Sequence, residues 1–279
     1  MQVEEARRLL AERLSGGPGP PSPESARAVT AQLAHPDSLG PLVRRLSAGD
    51  LDLAECTRLS YRHVLGFDKL LLLAGAPRFM LRVHFWHGRT GGAPEDIHNH
   101  RCAIASAVVR GRVRMECYET AANGVPATAY RETIDGPGGA WRLRRVGDAR
   151  LRLMCTERYG PGRSYGLAPH TLHRVVSEEP TVTLFLETAP QRSVTDVYVR
   201  NGNRITSNAA TDSSSATDSS SVTDGGSITN GSATDSGNDR ISAALRAGGA
   251  ERADPPPKTP LSPAVYLAGL DSLAGSLGY

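Results

Sequence analysis

Three histidines stand out in this sequence because their spacing suits metal binding. His98 and His100 are separated by Asn99 alone, and side chains alternate along a β-strand, so a strand here sends both imidazoles to the same face. His173 lies far along the chain, after Pro169 and beside a β-branched run. Imidazoles bind divalent metals where several of them converge. The pattern predicts one metal site held by His98, His100 and a third histidine, either His173 or the nearby His170.

A structural role is the alternative for each of these histidines, because a single histidine in a strand is usually a hydrogen-bonded structural residue. The sequence has eight histidines, and five of them lie in or beside predicted strands of one segment: His84, His87, His98, His100 and His173. This concentration in one segment favours metal binding over five separate structural roles.

The elements that would position these histidines are short strands preceded by helices. Apolar residues recur at helical spacing within 3–14, 26–33 and 39–46, and Gly and Pro separate the three stretches. Period-two patterns begin at Arg78 and predict strands at 79–87, 103–119, 127–134, 140–146, 151–159, 181–187 and 194–199. Many short strands separated by Gly, Pro and Asp turns indicate a mainly β fold, either an antiparallel sandwich or a barrel.

Composition divides the chain into three segments. Residues 1–57 form a predicted helical segment, 58–200 a single β-barrel and 201–279 a tail rich in Ser, Thr and Asp. Residues 202–258 bury too little apolar surface to offset the ~1–2 kcal/mol per residue of backbone ordering, so we expect disorder there. Residues 261–270 regain apolar spacing, which predicts a short helix. That helix is either a simple terminal turn or a docking segment for a partner or for this domain.

Charge and cysteine content exclude several classes of function. The formal net charge is +3 with both signs interspersed, so nothing indicates nucleic-acid binding. The four cysteines show no close-spaced pair, and acidic residues stand at the N-terminus where a secretory signal has basic and then apolar ones. No apolar run reaches the ~20 residues that cross a bilayer. We expect a cytoplasmic protein with reduced thiols that binds neither nucleic acid nor membrane, and its oligomeric state is left open.

The motifs between residues 58 and 190 resemble those of the RmlC-like cupin superfamily and, within it, the cysteine dioxygenase (thiol dioxygenase) branch. The strand at 79–87, a Gly-rich bend and the segment 97–100 are similar to that branch's strand, bend and His-x-His order. Gly111 fits the glycine that closes the first cupin motif, and 165–175 resembles the second motif. The resemblance implies a single cupin barrel, also called a double-stranded β-helix or jelly roll.

The resemblance also implies the ligand set. His173 precedes Arg174 and Val175 as the branch's third ligand does, whereas His170 is then a loop residue or lies just outside the ligand set. Ordinary cupins place a glutamate a few residues after the second histidine, and 101–106 has no carboxylate. Three neutral imidazoles leave adjacent metal positions for an anionic substrate and dioxygen. Fe(II) suits that chemistry, and zinc, nickel, manganese or copper suit the same ligands.

An arginine is the candidate anchor for the substrate. The resemblance implies that an arginine just before the lead strands holds the substrate carboxylate, and Arg62, next to Tyr61, occupies that place. A planar guanidinium suits this role because it binds a carboxylate bidentately. A solvated surface arginine is the alternative reading of Arg62, and Arg82, Arg101 and Arg174 are further candidates for the anchor.

The late strand departs from the branch's pattern. The branch's His-x-Tyr falls on 185–187, so the catalytic tyrosine is replaced, and Ala105 stands where the branch has its crosslinking cysteine. Glu187 is the candidate catalytic residue here. It either points into the barrel, where an acid can pair with an arginine or a substrate amine, or caps a solvent-facing end. These departures argue against L-cysteine as the substrate.

Together, these features predict a mononuclear non-haem oxygenase or dioxygenase, iron-dependent, that acts on a small thiol or carboxylic acid with O2. A non-catalytic cupin that binds a small molecule or regulates is the first alternative. A cupin epimerase or isomerase is the second, with an acid–base set drawn from His84, His87 and Tyr118. Retention of His-x-His with a distant third histidine argues against the epimerase.

Overall fold

A computed structural model describes residues 1–17, 19–49, 53–63, 67–87, 95–135, 140–200 and 259–278. The helices are α1 Val3–Leu14, α2 Pro23–Ala34, α3 Pro36–Ser47, α4 Leu53–Arg58 and α5 Pro263–Ser276. The strands are β1 Tyr61–Arg62, β2 Phe67–Gly75, β3 Phe79–Trp86, β4 Ile97–His98, β5 Cys102–Arg110, β6 Val113–Asp135, β7 Ala140–Tyr159, β8 Ser164–Leu167, β9 Leu172–Ser177, β10 Thr181–Pro190, β11 Thr195–Arg200 and β12 Thr259–Pro260. The predicted disorder of 202–258 lies outside the described residues.

The strands form two antiparallel sheets that face each other. One has seven strands in the order β12-β1-β2-β3-β10-β5-β8, and the other has five in the order β11-β4-β9-β6-β7. Side chains from both sheets meet in a shared apolar cluster that includes Ile104 and Phe185 from the first sheet and Met115 and Val175 from the second. The predicted fold class, a mainly β barrel with N-terminal helices, is confirmed.

The helices cover the outer face of the seven-stranded sheet. Helix α2 begins where Ser22 accepts a hydrogen bond from the Ser25 amide at 3.1 Å, and Pro23 occupies its first turn, where no amide is needed. The apolar faces of α1, α2 and α3 pack with alternate residues of β3 and β10, among them Leu81 and Leu184, in a second apolar cluster. The remaining residues of these strands, such as Phe185, face the other sheet.

Strand β2 was not predicted, because its residues show no period-two alternation. Its run 70–73 is continuously apolar and buried, since one face lies under the helices and the other faces the barrel interior. The predicted strand 103–119 is in fact two strands that separate near Gly111. Gly111 has φ +79°, and a Cβ there would lie 2.5 Å from the carbonyl oxygen of Pro180, so only glycine fits.

The C-terminal helix was predicted with two possible roles, and it docks on this domain. The hydroxyl of Tyr266 donates to the carbonyl of Leu71 in β2 at 2.7 Å, and Tyr266 and Leu270 are fully buried. Strand β12 pairs with β1 just ahead of it. The end of the chain therefore covers the same sheet as the N-terminal helices. No helix among the described residues is both long and apolar enough to span a membrane.

Candidate metal centre

The three predicted histidines meet on the inner side of the five-stranded sheet. His98 in β4 lies directly opposite His173 in β9. The ring centroids are 4.7 Å apart for His98 and His173, 4.9 Å for His98 and His100, and 5.1 Å for His100 and His173. One ring nitrogen of each lies within 4.8 Å of the other two. The three imidazoles are therefore arranged to bind one ion.

His98 and His100 converge although the strand expected to align them is short. Strand β4 ends at His98, and hydrogen bonds of the next two residues determine where His100 lies. The buried Asn99 side chain donates to Asp196 Oδ2 at 3.0 Å and accepts from the Asp196 amide at 2.8 Å. The His100 amide donates to the carbonyl of Pro169 at 3.1 Å, next to the turn that leads to His173. Hydrogen bonds of a loop, and not the alternation of a strand, therefore direct His100 towards His98.

Backbone carbonyls select the ring nitrogens that are available to a metal. His98 Nδ1 lies 2.9 Å from the carbonyl oxygen of Asp96, and His173 Nδ1 lies 3.1 Å from that of Thr171. A carbonyl can only accept, so in a neutral ring each Nδ1 carries the hydrogen and each Nε2 keeps its lone pair. This arrangement is typical of metal-binding histidines, whose second nitrogen donates to a carbonyl or carboxylate.

Burial keeps two of the three imidazoles neutral. It lowers the pKa of His173 to about 3, with a further lowering from neighbouring His98, and backbone hydrogen bonds oppose the shift only partly. Burial also lowers the pKa of His100 well below 6.5, and His98 and His173 add to that effect. Neutral rings are the form that binds metal. The donor set therefore fits a divalent ion at neutral pH.

No carboxylate joins the three histidines in the part of the chain that the structure describes. A site of three neutral ligands leaves the full charge of a divalent ion uncompensated, so the ion attracts an anionic group. A three-histidine set therefore suits a centre that also binds a charged small molecule.

The opposite sheet presents aromatic and polar side chains to this centre. The Phe185 ring lies 6.2 Å from the His100 ring and stacks on His84 at 4.6 Å between centroids. His84 is 4% exposed, and its Nε2 has no hydrogen-bond partner among the residues that the structure describes. A buried imidazole nitrogen without a partner costs free energy unless a ligand or water binds it. His84 is therefore available for hydrogen bonding inside the barrel.

Lys69 brings a positive charge to the same interior. It lies directly opposite His84 in the pairing of β2 with β3, so both side chains leave the sheet on the same face. Its ammonium lies 5.4 Å from the centroid of the Phe67 ring and 5.8 Å from that of Tyr61. Within the described ranges it forms no hydrogen bond or ion pair. After burial, its charge is among the causes that lower the pKa of His84 and of His100.

Sequence reasoning missed Lys69, although a signal existed. The chain has only two lysines among many arginines, and this one lies inside the apolar run 67–75. A lone lysine in a strand buried on both faces needs a reason to be there.

Arg62 and Glu187, the two predicted catalytic residues, both contact charged partners. Arg62 binds Asp68 through two hydrogen bonds of 2.8 and 3.0 Å, and its side chain is about half exposed. Glu187 lies 3.9 Å from Nε of the buried Arg82, whose guanidinium also donates to the carbonyl of Leu59 at 2.7 Å. Glu187 therefore lies beside an arginine, as in the first of the two orientations considered for it.

His170 and the residues considered for an epimerase lie in separate environments. His170 is exposed in the turn before β9 and is not part of the histidine cluster. His87 Nε2 lies 2.9 Å from Asp68, and the Tyr118 hydroxyl donates to Glu116 in the other sheet. His84 contacts neither His87 nor Tyr118 in any ring pair or hydrogen bond of the described residues. No acid–base pair of the epimerase type forms from these side chains.

The known proteins that resemble this chain are solved structures of low sequence identity. No protein-family model matches the chain, and no curated protein matches it. Solved structures that resemble it include an RmlC-like cupin from Shewanella frigidimarina NCIMB 400, with 15% identity over 45% of this chain and 78% of that chain and a TM-score of 0.28. The hydroquinone 1,2-dioxygenase PnpCD has 16% identity over 50% of this chain and 72% of that chain, also with a TM-score of 0.28.

A third structure, of the DMSP lyases RdDddP and RnDddQII, has 16% identity and a TM-score of 0.28. The match covers 44% of this chain and 47% of that one, so the chain spans about half the length of that relative. Several of the similar structures are cupins. At these values the similarity carries no argument about activity.

Proposed function

We propose that this protein is a mononuclear, metal-dependent oxygenase in which His98, His100 and His173 hold iron(II) and a small thiol or carboxylic acid is oxidised with O2. The observation that carries the proposal is the cluster of three imidazoles, two of which present Nε2 lone pairs fixed by carbonyls at Nδ1. When bound, iron(II) supplies the one-electron chemistry of dioxygen that no amino-acid side chain provides.

Lys69 is the proposed anchor for an anionic group of the substrate. Its ammonium is held against two aromatic rings, lies on the interior face of β2 and has no ion-pair partner among the described side chains. A carboxylate or thiolate supplies the missing counter-charge, and a partly desolvated pair is stronger than one in water. Arg62, by contrast, already binds Asp68 with two hydrogen bonds.

His84 and Phe185 complete the proposed binding surface. His84 Nε2, which has no partner within the described ranges, accepts a hydrogen bond from a polar group of the substrate. Burial first, and then the charges of Lys69, Arg82 and His63, lower the pKa of His84, so the ring binds as a neutral imidazole. Phe185 stacks on His84 and lies 6.2 Å from the His100 ring, so it adds an apolar surface beside both side chains. Glu187 lies 3.9 Å from Nε of Arg82, which supports a role in positioning that arginine and not in contacting the substrate.

Oxygen uptake by the metal-loaded protein tests the activity. Protein loaded anaerobically with iron(II) is mixed with a panel of small thiols and carboxylic acids, and oxygen consumption is followed with an electrode. We expect uptake with at least one anionic compound and none with protein loaded with zinc. If iron binds but no compound in the panel supports uptake, the non-catalytic binding cupin is the better assignment. Copper, nickel or manganese supporting uptake where iron does not would change the metal.

A matched pair of substitutions tests the anchor. Lys69→Met removes the proposed counter-charge, so we expect KM for the active acid to rise about tenfold or more, which corresponds to about 1.4 kcal/mol. Arg62→Met removes a half-exposed guanidinium that binds the buried Asp68, which His87 still contacts, and is expected to change KM by less than about twofold. For the neutral amide of the same acid, KM should differ little between Lys69→Met and Arg62→Met. The reverse order of effects would return the anchor to Arg62.

A further inference from the structure

Two cysteines continue the row of residues that holds the metal ligands. Across the five-stranded sheet, Cys155 in β7 lies directly opposite Cys117 in β6, Cys117 directly opposite His173 in β9, and His173 directly opposite His98 in β4. Residues directly opposite one another in antiparallel strands project from the same face of the sheet. Both thiols are therefore on the face that carries the imidazoles.

The register places the two sulfurs within reach of each other. Directly opposed residues of antiparallel strands have Cα atoms ~4.5–5.5 Å apart, and disulfides span ~4.4–6.8 Å between Cα atoms. Burial raises the pKa of Cys117, and the neighbouring Cys155 thiol adds to that shift, so the two side chains interact. A bulge in the β6–β7 pairing falls between Cys117 and Tyr118, so the pairing next to the thiols is irregular and can adjust locally.

Accessibility differs between these two cysteines and the other pair. Cys155 is exposed at the edge of the sheet and Cys117 is half-buried beside it. Cys56 and Cys102 are both buried, in different apolar clusters. An oxidant in solution therefore reaches Cys155 first and finds its only directly opposed thiol at Cys117.

We propose that Cys117 and Cys155 are a redox-modification site that forms a reversible disulfide with hydrogen peroxide as the oxidant, beside the third metal ligand. The Cys155 thiolate attacks peroxide, the O–O bond breaks, and a sulfenic acid and hydroxide form. The Cys117 sulfur then attacks the Cys155 sulfur, the S–O bond breaks, and the Cys117 proton leaves with the hydroxyl as water. In total two thiols and one peroxide give one disulfide and two waters.

The consequence of the crosslink is a stiffer strand at the metal centre. The disulfide ties β7 to β6 at the residue that pairs with His173, and it closes a loop that includes the long β6–β7 hairpin. A crosslink of this kind lowers the entropy of the unfolded chain. The proposal does not depend on the oxygenase activity, because it rests on strand register and thiol exposure alone.

Thiol counting and mass mapping on the full chain test the proposal. The protein is prepared without added iron, treated with hydrogen peroxide and denatured. We expect the four titratable thiols to fall to two, the intact mass to fall by two hydrogen atoms, and one peptide pair to join Cys117 with Cys155. Dithiothreitol should restore all four thiols, and the melting temperature should be higher before reduction than after it.

Variants separate this disulfide from other oxidation products. Cys56→Ala with Cys102→Ala should leave the disulfide unchanged, whereas Cys117→Ser and Cys155→Ser should each abolish the intramolecular bond while circular dichroism shows a folded protein. The proposal is overturned if wild-type protein keeps four thiols, if the mapped bond involves Cys56 or Cys102, or if Cys155 instead links two copies as fast in wild type as in Cys117→Ser.

Discussion

The two sheets of this barrel differ in what covers their outer faces and in what their inner faces carry. Helices from both ends of the chain cover the seven-stranded sheet, so strands such as β10 are buried on both sides. The five-stranded sheet ends in β7, where residues 152–158 are exposed. Two of the three candidate ligand histidines lie in strands of this less covered sheet, while Lys69, His84 and Phe185 project from the covered one.

This difference indicates that the covered sheet mainly provides stability and that the less covered sheet carries most of the proposed metal site. The covered sheet contributes most of the buried apolar surface and provides a fixed wall for the site. The less covered sheet provides the candidate ligands, whose positions depend on loops and hydrogen bonds such as the Asn99 contacts with Asp196. Substitutions in the less covered sheet should therefore reduce metal binding, whereas substitutions in the covered sheet should reduce the free energy of unfolding.

The largest expected effect is loss of metal from the less covered sheet. His98→Ala and His100→Ala should each reduce bound iron from about one ion per chain to nearly none, because two imidazoles hold a divalent ion far more weakly than three. Elemental analysis after anaerobic loading and desalting measures this, and the melting temperature of the metal-free protein should change little. His170→Ala, an exposed histidine of the same turn region, is the control and should keep its iron. Equal loss in that control would contradict the assignment of the ligands.

The next effect is on the stability of the covered sheet. Leu184→Ala removes a fully buried side chain between β10 and the helices, and should lower the free energy of unfolding by about 2–5 kcal/mol. Leu153→Ala in β7 removes a side chain that is 49% exposed, and should change it by less than about 0.5 kcal/mol. Urea unfolding of metal-free protein measures both. Similar losses at the two positions would mean that the sheets share stability evenly.

The third prediction concerns pH and His84. Burial lowers the pKa of His84 in the folded protein well below its usual value of 6.5. At a pH between the folded-state pKa and 6.5, the unfolded chain therefore binds a proton that the folded chain does not. The free energy of unfolding consequently falls as the pH is lowered from about 6.5. His84→Leu removes this contribution, which reaches at most about 1.4 kcal/mol per pH unit. Urea midpoints at pH 7, 6 and 5 should therefore fall less steeply in the variant. At pH 7 the variant should be as stable as wild type or more so, because an unpartnered buried nitrogen is removed. An unchanged slope would show that His84 is solvated in solution.

The smallest effect tests the docking of the C-terminal helix on the covered sheet. Tyr266→Phe keeps the buried ring and removes only the hydroxyl that donates to Leu71, so unfolding should become easier by about 1 kcal/mol. Val265→Ala on the same helix, where the side chain is 48% exposed, is the control and should be close to neutral. Protection of the β2 amides from hydrogen exchange should fall in Tyr266→Phe alone. No change in either measurement would argue that α5 contributes little to this sheet.

Several features of this protein follow from the sequence by itself. The early helices could be predicted because apolar spacing and Pro or Ser caps act within a few residues. The mainly β class followed from short alternating strands with Gly and Pro turns. The candidate ligands His98, His100 and His173 could be chosen because three histidines near strand patterns are rarely coincidental. All of these signals are local or depend only on residue type.

Other features were decided by tertiary structure, because they depend on which strands become neighbours. Strand β2 was missed because burial on both faces removes the alternation that marks a strand. Arg62 was predicted as an anchor, yet its pairing with Asp68 and the position of Lys69 opposite His84 arise only from the β1–β2 and β2–β3 registers. Cys117 and Cys155 show no motif in the sequence. They become opposed because β6 and β7 pair over their full length, with bulges that shift the register, and no local pattern encodes such a register.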